Sequence, residues 1–242
     1  MKRQKLRKTL LIISFLVFPA TFYYLSPYLI VDAASKGIIN GSFLFFSLLL
    51  ISSLFLGRGF CGWICPAGGV QDLISVVNSR KVKKGNWIKW IIWIPWIISI
   101  SLVAIKNGGY RAIGPLYQTT NGLSIGDVYG LITYLFVLMV IVLPAFFVGK
   151  RSSCHHICWM SPFMIIGRKI SNLIHIPSLM LTTINYRCTS CGTCDKNCPM
   201  SLPVGEMVKK DRMENNECIL CGSCVDGCLS KAIHYEFKTV FK

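Results

Sequence analysis

Four apolar runs dominate the first 150 residues of the chain. They cover residues 10–31, 41–56, 87–105 and 128–148, and three of them contain roughly twenty residues. A helix rises about 1.5 Å per residue, so twenty residues cross a hydrocarbon core of about 30 Å. The run at 41–56 is the shortest. This pattern predicts a mainly α-helical membrane protein with four transmembrane helices.

Two shorter amphipathic stretches, residues 67–79 and 163–174, follow the second and fourth runs. Each comes after a basic segment and a pair of cysteines, so the front half of the chain contains a crude internal repeat. Pro66 and Pro162 suit the first turn of a helix, where the missing N–H costs nothing. We therefore predict two interfacial helices, with Cys65 at the N-terminus of the first.

The distribution of charge orients the predicted spans. The chain is 53% hydrophobic and 15% charged, with 26 basic and 10 acidic residues and a net charge of +16. Fifteen of the eighteen basic residues before residue 182 fall on one side of the membrane, and three fall on the other. Cytoplasmic loops carry the excess of Lys and Arg. The sequence thus predicts a multi-pass protein of the cytoplasmic membrane, with both termini in the cytoplasm.

The segment that follows residue 182 has a different composition. It contains eight basic and seven acidic residues, a balance that excludes a nucleic-acid-binding arm. It also contains two cysteine runs offset by thirty residues, each followed by a short apolar segment. We predict a transmembrane domain over 1–182 and a small α+β, ferredoxin-like domain over 183–242.

The two C-terminal cysteine runs share the spacing C-x2-C-x2-C-x3-C. This spacing is typical of ferredoxins with two [4Fe–4S] clusters, in which the fourth cysteine of each run ligates the other cluster. The predicted ligand sets are therefore Cys188, Cys191, Cys194 and Cys228 for one cluster, and Cys218, Cys221, Cys224 and Cys198 for the other. Zinc usually binds two short pairs, and disulfides are rare on a cytoplasmic face.

The remaining four cysteines form two C-x3-C pairs, one after each repeat's span: Cys61, Cys65, Cys154 and Cys158. Three interpretations stay open for them: a third metal or iron–sulfur centre, a redox-active disulfide, or packing thiols. Thiols near helix starts are activated, which favours a metal or redox site. His155 and His156 lie between the second pair and are candidates for a quinone site, because histidine exchanges protons near neutral pH. Interfacial histidines that bind lipid headgroups or water are the alternative.

Two further features of the predicted membrane domain, an acidic residue and a group of tryptophans, also lead to predictions. Asp72 is the only acidic residue in the cytoplasmic loops of the membrane domain, and we predict that it faces water and pairs with Arg80 or its neighbours. Four tryptophans recur every third residue at the start of the third span: Trp87, Trp90, Trp93 and Trp96. We predict interfacial anchors rather than a stripe on which a quinone stacks.

The combination of motifs resembles a known family. Paired C-x3-C motifs after membrane spans, followed by a two-cluster run from Cys188-Thr-Ser-Cys191 to Cys198-Pro199-Met200, resemble the NapH-type membrane ferredoxins and the membrane part of the NosR and CcoG proteins. The resemblance covers nearly the whole chain. It implies an electron-transfer subunit of an oxidoreductase, specifically a four-span quinol dehydrogenase subunit that connects the quinone pool with a partner redox protein. The second motif departs from the first, because Trp159 follows Cys158 where Pro66 follows Cys65.

Two other functions rest on the same features. One is an assembly or maturation factor that reduces a metal or a disulfide for another complex. The other is a membrane anchor that connects a larger oxidoreductase complex to the bilayer and has no quinone site of its own. In every case we expect the lipid bilayer and a redox protein as partners, and no nucleic acid.

Overall fold

The computed structural model describes residues 2–82, 85–119, 122–126 and 128–239. Lys83, Lys84 and Asp127, which the charge count includes, lie outside these ranges. The structure is mainly helical. The helices of the front part are α1 (Lys2–Thr21), α2 (Pro27–Ser35), α3 (Gly41–Leu56), α4 (Gly59–Trp63), α5 (Pro66–Ile74), α6 (Ile88–Lys106), α7 (Val128–Phe147), α8 (Ser152–His156) and α9 (Ser161–Leu173). The C-terminal helices are α10 (Thr193–Asn197), α11 (Val204–Lys209) and α12 (Ser223–Asp226).

Each of the four apolar runs is helical. Among the described residues, three helical segments are long and apolar enough to cross a membrane, namely Lys2–Ser35, α6 and α7, whereas α3 is apolar but has only 16 residues. The first segment begins eight residues before the predicted span, since its Lys, Arg and Gln residues are good helix formers. It is interrupted by a 3₁₀ turn at Phe22–Leu25 and resumes at Pro27.

Within the described residues, four short strands form two separate sheets: β1 (Ile38–Asn40), β2 (Ala112–Gly114), β3 (Ser178–Thr183) and β4 (Ile233–Lys238). β1 and β2 are parallel and join the two loops on the side away from the cysteines. β3 and β4 are antiparallel, with Ser178 opposite Lys238 and Thr183 opposite Ile233. β3 begins at Ser178, a few residues before the predicted boundary at 182/183, and that boundary stays a prediction.

The two amphipathic helices pack along the membrane spans. A Cβ atom on Gly69 of α5 would lie 2.7 Å from the carbonyl oxygen of Leu11 in α1, and one on Gly167 of α9 would lie 2.7 Å from that of Leu50 in α3. Both separations are too short for any other residue, so glycine is what allows the close approach. The predicted helices form, with one face of each packed against α1 or α3, and their interfacial position stays a prediction.

The starts of α5 and α9 lie beside the middle of α1 and α3 rather than at the helix ends. Ile64, just before α5, accepts a hydrogen bond from the hydroxyl of Ser14, which lies inside the first apolar run. The ring centroid of Phe163 in α9 is 5.3 Å from that of Phe46 in α3. The chain therefore returns into the bundle after each span. Such non-helical backbone is tolerated at membrane depth when protein surrounds it.

The predictions for Asp72 and for the four tryptophans need correction. Asp72 does not face water near Arg80, because it lies between Arg7 and Arg151 with N–O distances of 2.8 and 2.6 Å. The packing of α5 against α1 turns its carboxylate into the bundle. The tryptophans are also partly helix-packing residues: the Trp93 and Trp96 rings meet Phe163 edge-on, and only Trp87 of the four is mainly exposed.

Candidate metal centres

The first predicted ligand set surrounds one cavity, which we call the outer site. Its four cysteines, Cys188, Cys191, Cys194 and Cys228, all line a cavity of about 150 Å³. Ser190 and Gly192 flank Cys191 with left-handed φ angles of 56° and 71°, which turn the loop around the cavity. The Thr193 hydroxyl lies 3.4 Å from the Cys191 sulfur. Cys191 is exposed, so the outer site opens to solvent.

The second predicted set also comes together, in what we call the inner site. Its cysteines, Cys198, Cys218, Cys221 and Cys224, line a cavity of about 20 Å³. Thirty residues after the first run, Leu220 and Gly222 repeat the left-handed geometry with φ angles of 49° and 72°, and Ser223 lies 3.5 Å from the Cys221 sulfur. Three of the four cysteines are buried. Each cavity thus receives three cysteines from one run and the fourth from the other.

The four remaining cysteines converge in the bundle, in what we call the membrane-proximal site: Cys61, Cys65, Cys154 and Cys158. They belong to one packed cluster, and each lies within electrostatic reach of the others. Cys65 is the N-cap of α5 and Pro66 its first residue, which confirms the predicted helix start. The sulfur of Met164 lies 3.9 Å from that of Cys61.

Two buried arginines flank the membrane-proximal site. Arg58 and Arg151 are 2% and 0% exposed, and each precedes the first cysteine of its pair by three residues. Arg151 donates to the carbonyl oxygen of Cys61 across the repeat, at 2.8 Å. Within the described ranges, Nε and Nη2 of Arg58 and Nη2 of Arg151 have no hydrogen-bond partner. Guanidinium is always charged, and leaving its buried donors unpaired is costly.

The donor set and its surroundings therefore fit an anionic group. Arg58 and Arg151 each pair with one carboxylate, and four thiolates that hold an iron–sulfur cluster would give their remaining, unpartnered donors a second negative neighbour, whereas a disulfide or neutral packing thiols would not. Sequence reasoning missed Arg58 and Arg151, because it counted them only as positive-inside charges. The available signal was the repeated spacing Arg-x-x-Cys-x-x-x-Cys in both units.

Asp72 holds one of these arginines in place. Burial raises the pKa of Asp72, but the charges and hydrogen bonds of Arg151 and Arg7 outweigh burial and place the pKa below its usual range. The carboxylate is therefore ionised at neutral pH. It fixes the guanidinium of Arg151 beside the thiols, and Arg7 in turn donates to the carbonyl oxygen of Gly62 at 3.2 Å.

The membrane-proximal and inner sites touch through their backbones. A Cβ atom on Gly62, next to Cys61, would overlap the carbonyl oxygen of Ile219, next to Cys218. The indole of Trp63 donates to the carbonyl oxygen of Leu220 at 3.0 Å. The outer site has no such contact with the two C-x3-C motifs among the residues that line its cavity.

A buried carboxylate fastens the inner site to the membrane half. Glu217 lies 2.7 Å from Arg58 and also pairs with Lys89 at the start of α6. Burial raises the pKa of Glu217, but the charges of Arg58 and Lys89 outweigh burial, so the pKa lies below its ordinary value. A second pair joins Glu214 to Arg168 of α9 at 2.8 Å.

The two candidate histidines lie to one side of the thiols. Nδ1 of His155 is 2.6 Å from the side-chain oxygen of Asn86, and burial lowers the pKa of His155 to about 4, so this imidazole is neutral. His156 packs over Gly85. Both histidines therefore stand at the loop before α6, and their role at a quinone site stays a prediction.

In the part of the chain that the structure describes, no three His, Cys, Asp or Glu side chains are positioned to hold a single metal ion. A [4Fe–4S] cluster asks for a different arrangement, because each of its four thiolates binds a different iron. All three thiol sets have the soft ligands that such clusters take.

Comparisons with known proteins agree with this chemistry. A family model described as a 4Fe-4S binding domain matches residues 41–85 and 129–177, the two repeat units that contain the C-x3-C pairs. A second model, described as a 4Fe-4S dicluster domain, matches residues 187–233, which contain both C-terminal runs.

Several curated proteins are similar over most of the chain. Protein MJ0749 of Methanocaldococcus jannaschii is 25% identical over 96% of this chain and 86% of its own length. The ferredoxin-type protein NapH of Haemophilus influenzae is 24% identical over 80% of this chain and 67% of its own. The methylamine utilization ferredoxin-type protein MauN of Paracoccus denitrificans is 25% identical, over 82% and 68%. No solved structure matches the chain.

Proposed function

We propose that this chain, a NapH-type 4Fe–4S membrane ferredoxin, oxidises quinol in the membrane and delivers the electrons to a partner redox protein. The observation that carries the proposal is the contact between Gly62 and Ile219, which joins the membrane-proximal site to the inner site. This contact supports one order of sites: membrane-proximal, inner, outer.

The inner and outer sites are the proposed holders of two [4Fe–4S] clusters, with the ligand sets given above. The membrane-proximal site is the proposed holder of a third, supported by the unpartnered donors of Arg58 and Arg151. When bound, such clusters supply one-electron centres, so that the two electrons of a quinol, released with two protons, leave one at a time. The residues of the chain position these centres and keep water away from the first.

The proposed topology has four spans, formed by α1 with α2, α3, α6 and α7. The 16 residues of α3 measure about 24 Å, which suffices because α9 packs beside its cytoplasmic half. The basic residues that accompany the cysteines lie on the same side as the basic N-terminus. This supports the cytoplasmic membrane as location, with both termini and the C-terminal module in the cytoplasm.

The outer site is the proposed exit to the partner. Tyr186 and Leu229 are 86% and 98% exposed, and they lie two residues before Cys188 and one residue after Cys228. Large exposed apolar side chains beside a functional cavity are typical of protein-binding surfaces.

Anaerobic proteoliposomes with a chemically prepared quinol test the proposal. We expect quinol to bleach the visible absorbance of the wild-type protein. In Cys61→Ser, quinol should no longer reduce the inner and outer sites, although dithionite still does. In Cys191→Ser, quinol should still reduce the inner site.

Iron content and electron paramagnetic resonance on each variant show which centres are present. The proposal fails if no quinol reduces the wild-type protein, or if Cys61→Ser is reduced by quinol as fast as the wild type. A partner that loses its metal while quinol turnover persists would instead support the maturation function.

A further inference from the structure

An apolar slot of about 480 Å³ opens between α1 and α3. Leu44 and Leu48, one turn apart on α3, form one wall and are 43% and 59% exposed. The floor is formed by Ile64 and Pro66, the two neighbours of Cys65. The lining of the slot is therefore mainly apolar, and the slot ends next to Cys65 of the membrane-proximal site.

In the proposed topology, the position of the slot along α1 lies inside the membrane. Ser14 and Thr21 line it and stand two turns apart, so the slot extends about 10 Å along the helix axis. Ser14 lies within the first apolar run and donates to the carbonyl oxygen of Ile64 at the floor. Because the exposed wall on α3 faces lipid, a ligand enters from the hydrocarbon and not from water.

We infer that this slot binds the quinol, with its ring on the floor beside Cys65 and its isoprenoid tail along Leu44 and Leu48. The inference rests on the proposed function and adds the location of its substrate. The volume lies in the range of small-molecule sites, about 300–1,000 Å³. The Ser14 hydroxyl donates to Ile64 and keeps lone pairs that can accept a hydrogen bond from a quinol hydroxyl.

A lipid acyl chain is the competing occupant of the slot. The polar group at the floor, the Ser14 hydroxyl, favours a quinol over an acyl chain. An acyl chain would use the apolar walls but would gain nothing from Ser14. Cys65 is 2% exposed and lies directly behind Ile64 and Pro66, so a ring on this floor is separated from the buried thiols by a single layer of protein. The slot lining does not include His155 or His156.

Photolabelling of the full-length protein in nanodiscs tests the location without relying on turnover. The probe is an azido derivative of decylubiquinone kept reduced to the quinol, so that its hydroxyls can donate to Ser14, and labelled peptides are identified by mass spectrometry. We expect label on peptides that contain α3 and residues 59–66. In Leu48→Trp the added indole fills the slot, and the labelling yield should fall at least tenfold.

Leu102→Trp is the matched control, because Leu102 is similarly exposed on α6, away from the slot. It should leave the yield unchanged, and equal thermal midpoints would show that both variants fold. Ser14→Ala should weaken labelling a few-fold without removing it.

The outcomes separate this inference from the proposed function. Quinol-dependent reduction with label outside the slot, or an unaffected Leu48→Trp, overturns the location and leaves the function standing. Absence of both label and quinol-dependent reduction removes the function as well. Equal labelling by an azido phospholipid that excess decylubiquinone does not displace would assign the slot to lipid and overturn the inference.

Discussion

The outer and inner sites are two copies of one thirty-residue motif in opposite surroundings. Both have left-handed residues around the second cysteine, at Ser190 and Gly192 in one copy and at Leu220 and Gly222 in the other. The outer site surrounds a cavity of about 150 Å³ with exposed edges, whereas the inner site is packed under the membrane half. The motif therefore determines the conformation of the ligand loops. The residues that surround each copy determine whether it faces solvent or packs against the membrane half.

The residues between the cysteine ligands explain why the second copy, and not the first, packs against the membrane half. Ile219 and Leu220 are 2% and 7% exposed at the positions where the first copy has Thr189 and Ser190. The residue before the second run is Glu217, which forms ion pairs with the basic membrane half. The second copy thus has an apolar and acidic face, and the first copy keeps a polar one toward water.

The largest expected effect comes from removing the carboxylate that anchors the inner site. Glu217→Ala leaves Arg58 and Lys89 buried without their partner, which should lower the free energy of unfolding by about 3–5 kcal/mol. The counterpart in the outer copy is Arg187, which is exposed, so Arg187→Ala should cause no measurable change. Thermal unfolding in nanodiscs, with iron content as a check, measures both. Equal effects would contradict the comparison.

The next effect comes from the backbone contact itself. Gly62→Ala places a methyl group on the carbonyl oxygen of Ile219 and should cost about 1–3 kcal/mol, the usual range for overpacking. Gly59→Ala is the control on the same helix α4, because its methyl group would meet only Leu56 at 3.8 Å. Unfolding midpoints should fall for the first variant and stay level or rise for the second. Equal changes in the two unfolding midpoints would show that the contact does not contribute to stability.

Equivalent glycines allow a finer comparison of the two copies. Gly192→Ala and Gly222→Ala both force a left-handed residue with a Cβ atom, at about 1–2 kcal/mol. Within the described residues nothing lies within 4 Å of the new methyl group at 192, but at 222 it would lie 2.7 Å from the Tyr235 hydroxyl. That hydroxyl donates to Leu220 at 2.6 Å, so Gly222→Ala should cost about 1 kcal/mol more. The denaturant midpoints of the two variants measure this difference. A larger loss of stability in Gly192→Ala than in Gly222→Ala would contradict the expectation.

The smallest effect concerns acid stability at the edge of the inner site. Burial raises the pKa of Glu214, but Arg168 and Asn172 outweigh burial and lower it. The stabilisation is therefore complete above the ordinary pKa of about 4.3 and is lost as the pH falls through the lower folded value. Glu214→Gln should cost at most about 1 kcal/mol, since the pair is partly exposed.

The check is the unfolding midpoint of wild type and Glu214→Gln between pH 3 and 7. The difference between them should be constant above about pH 5 and shrink below about pH 4. A difference that grows on acidification would show that the carboxylate is not stabilised by Arg168.

The sequence predicted what local pattern controls. Apolar runs of membrane length became helices, Pro66 marked a helix start, and the cysteine spacing anticipated which thiols share a cavity. These features depend on residues within a few turns of one another. The identity of each ligand set remains a prediction that spectroscopy must test.

The rest depends on contacts between distant segments. Asp72 meets Arg7 and Arg151, 65 and 79 residues away, and no local pattern around it indicates either partner. The return of α5 and α9 into the bundle was also missed, although Gly69 and Gly167 were its signal. Glycine on an otherwise apolar helix face indicates close helix packing in membranes.

The burial of the membrane-proximal cysteines constrains the biogenesis of the protein. Cys61, Cys65 and Cys154 are at most 5% exposed, and the backbone of Ile219 packs against Gly62, next to Cys61. The ribosome makes the segment around Ile219 after the helices that carry these cysteines. If the membrane-proximal site holds the proposed cluster, iron and sulfide reach it before the C-terminal module docks, and a chain that docks too early would mature without that cluster.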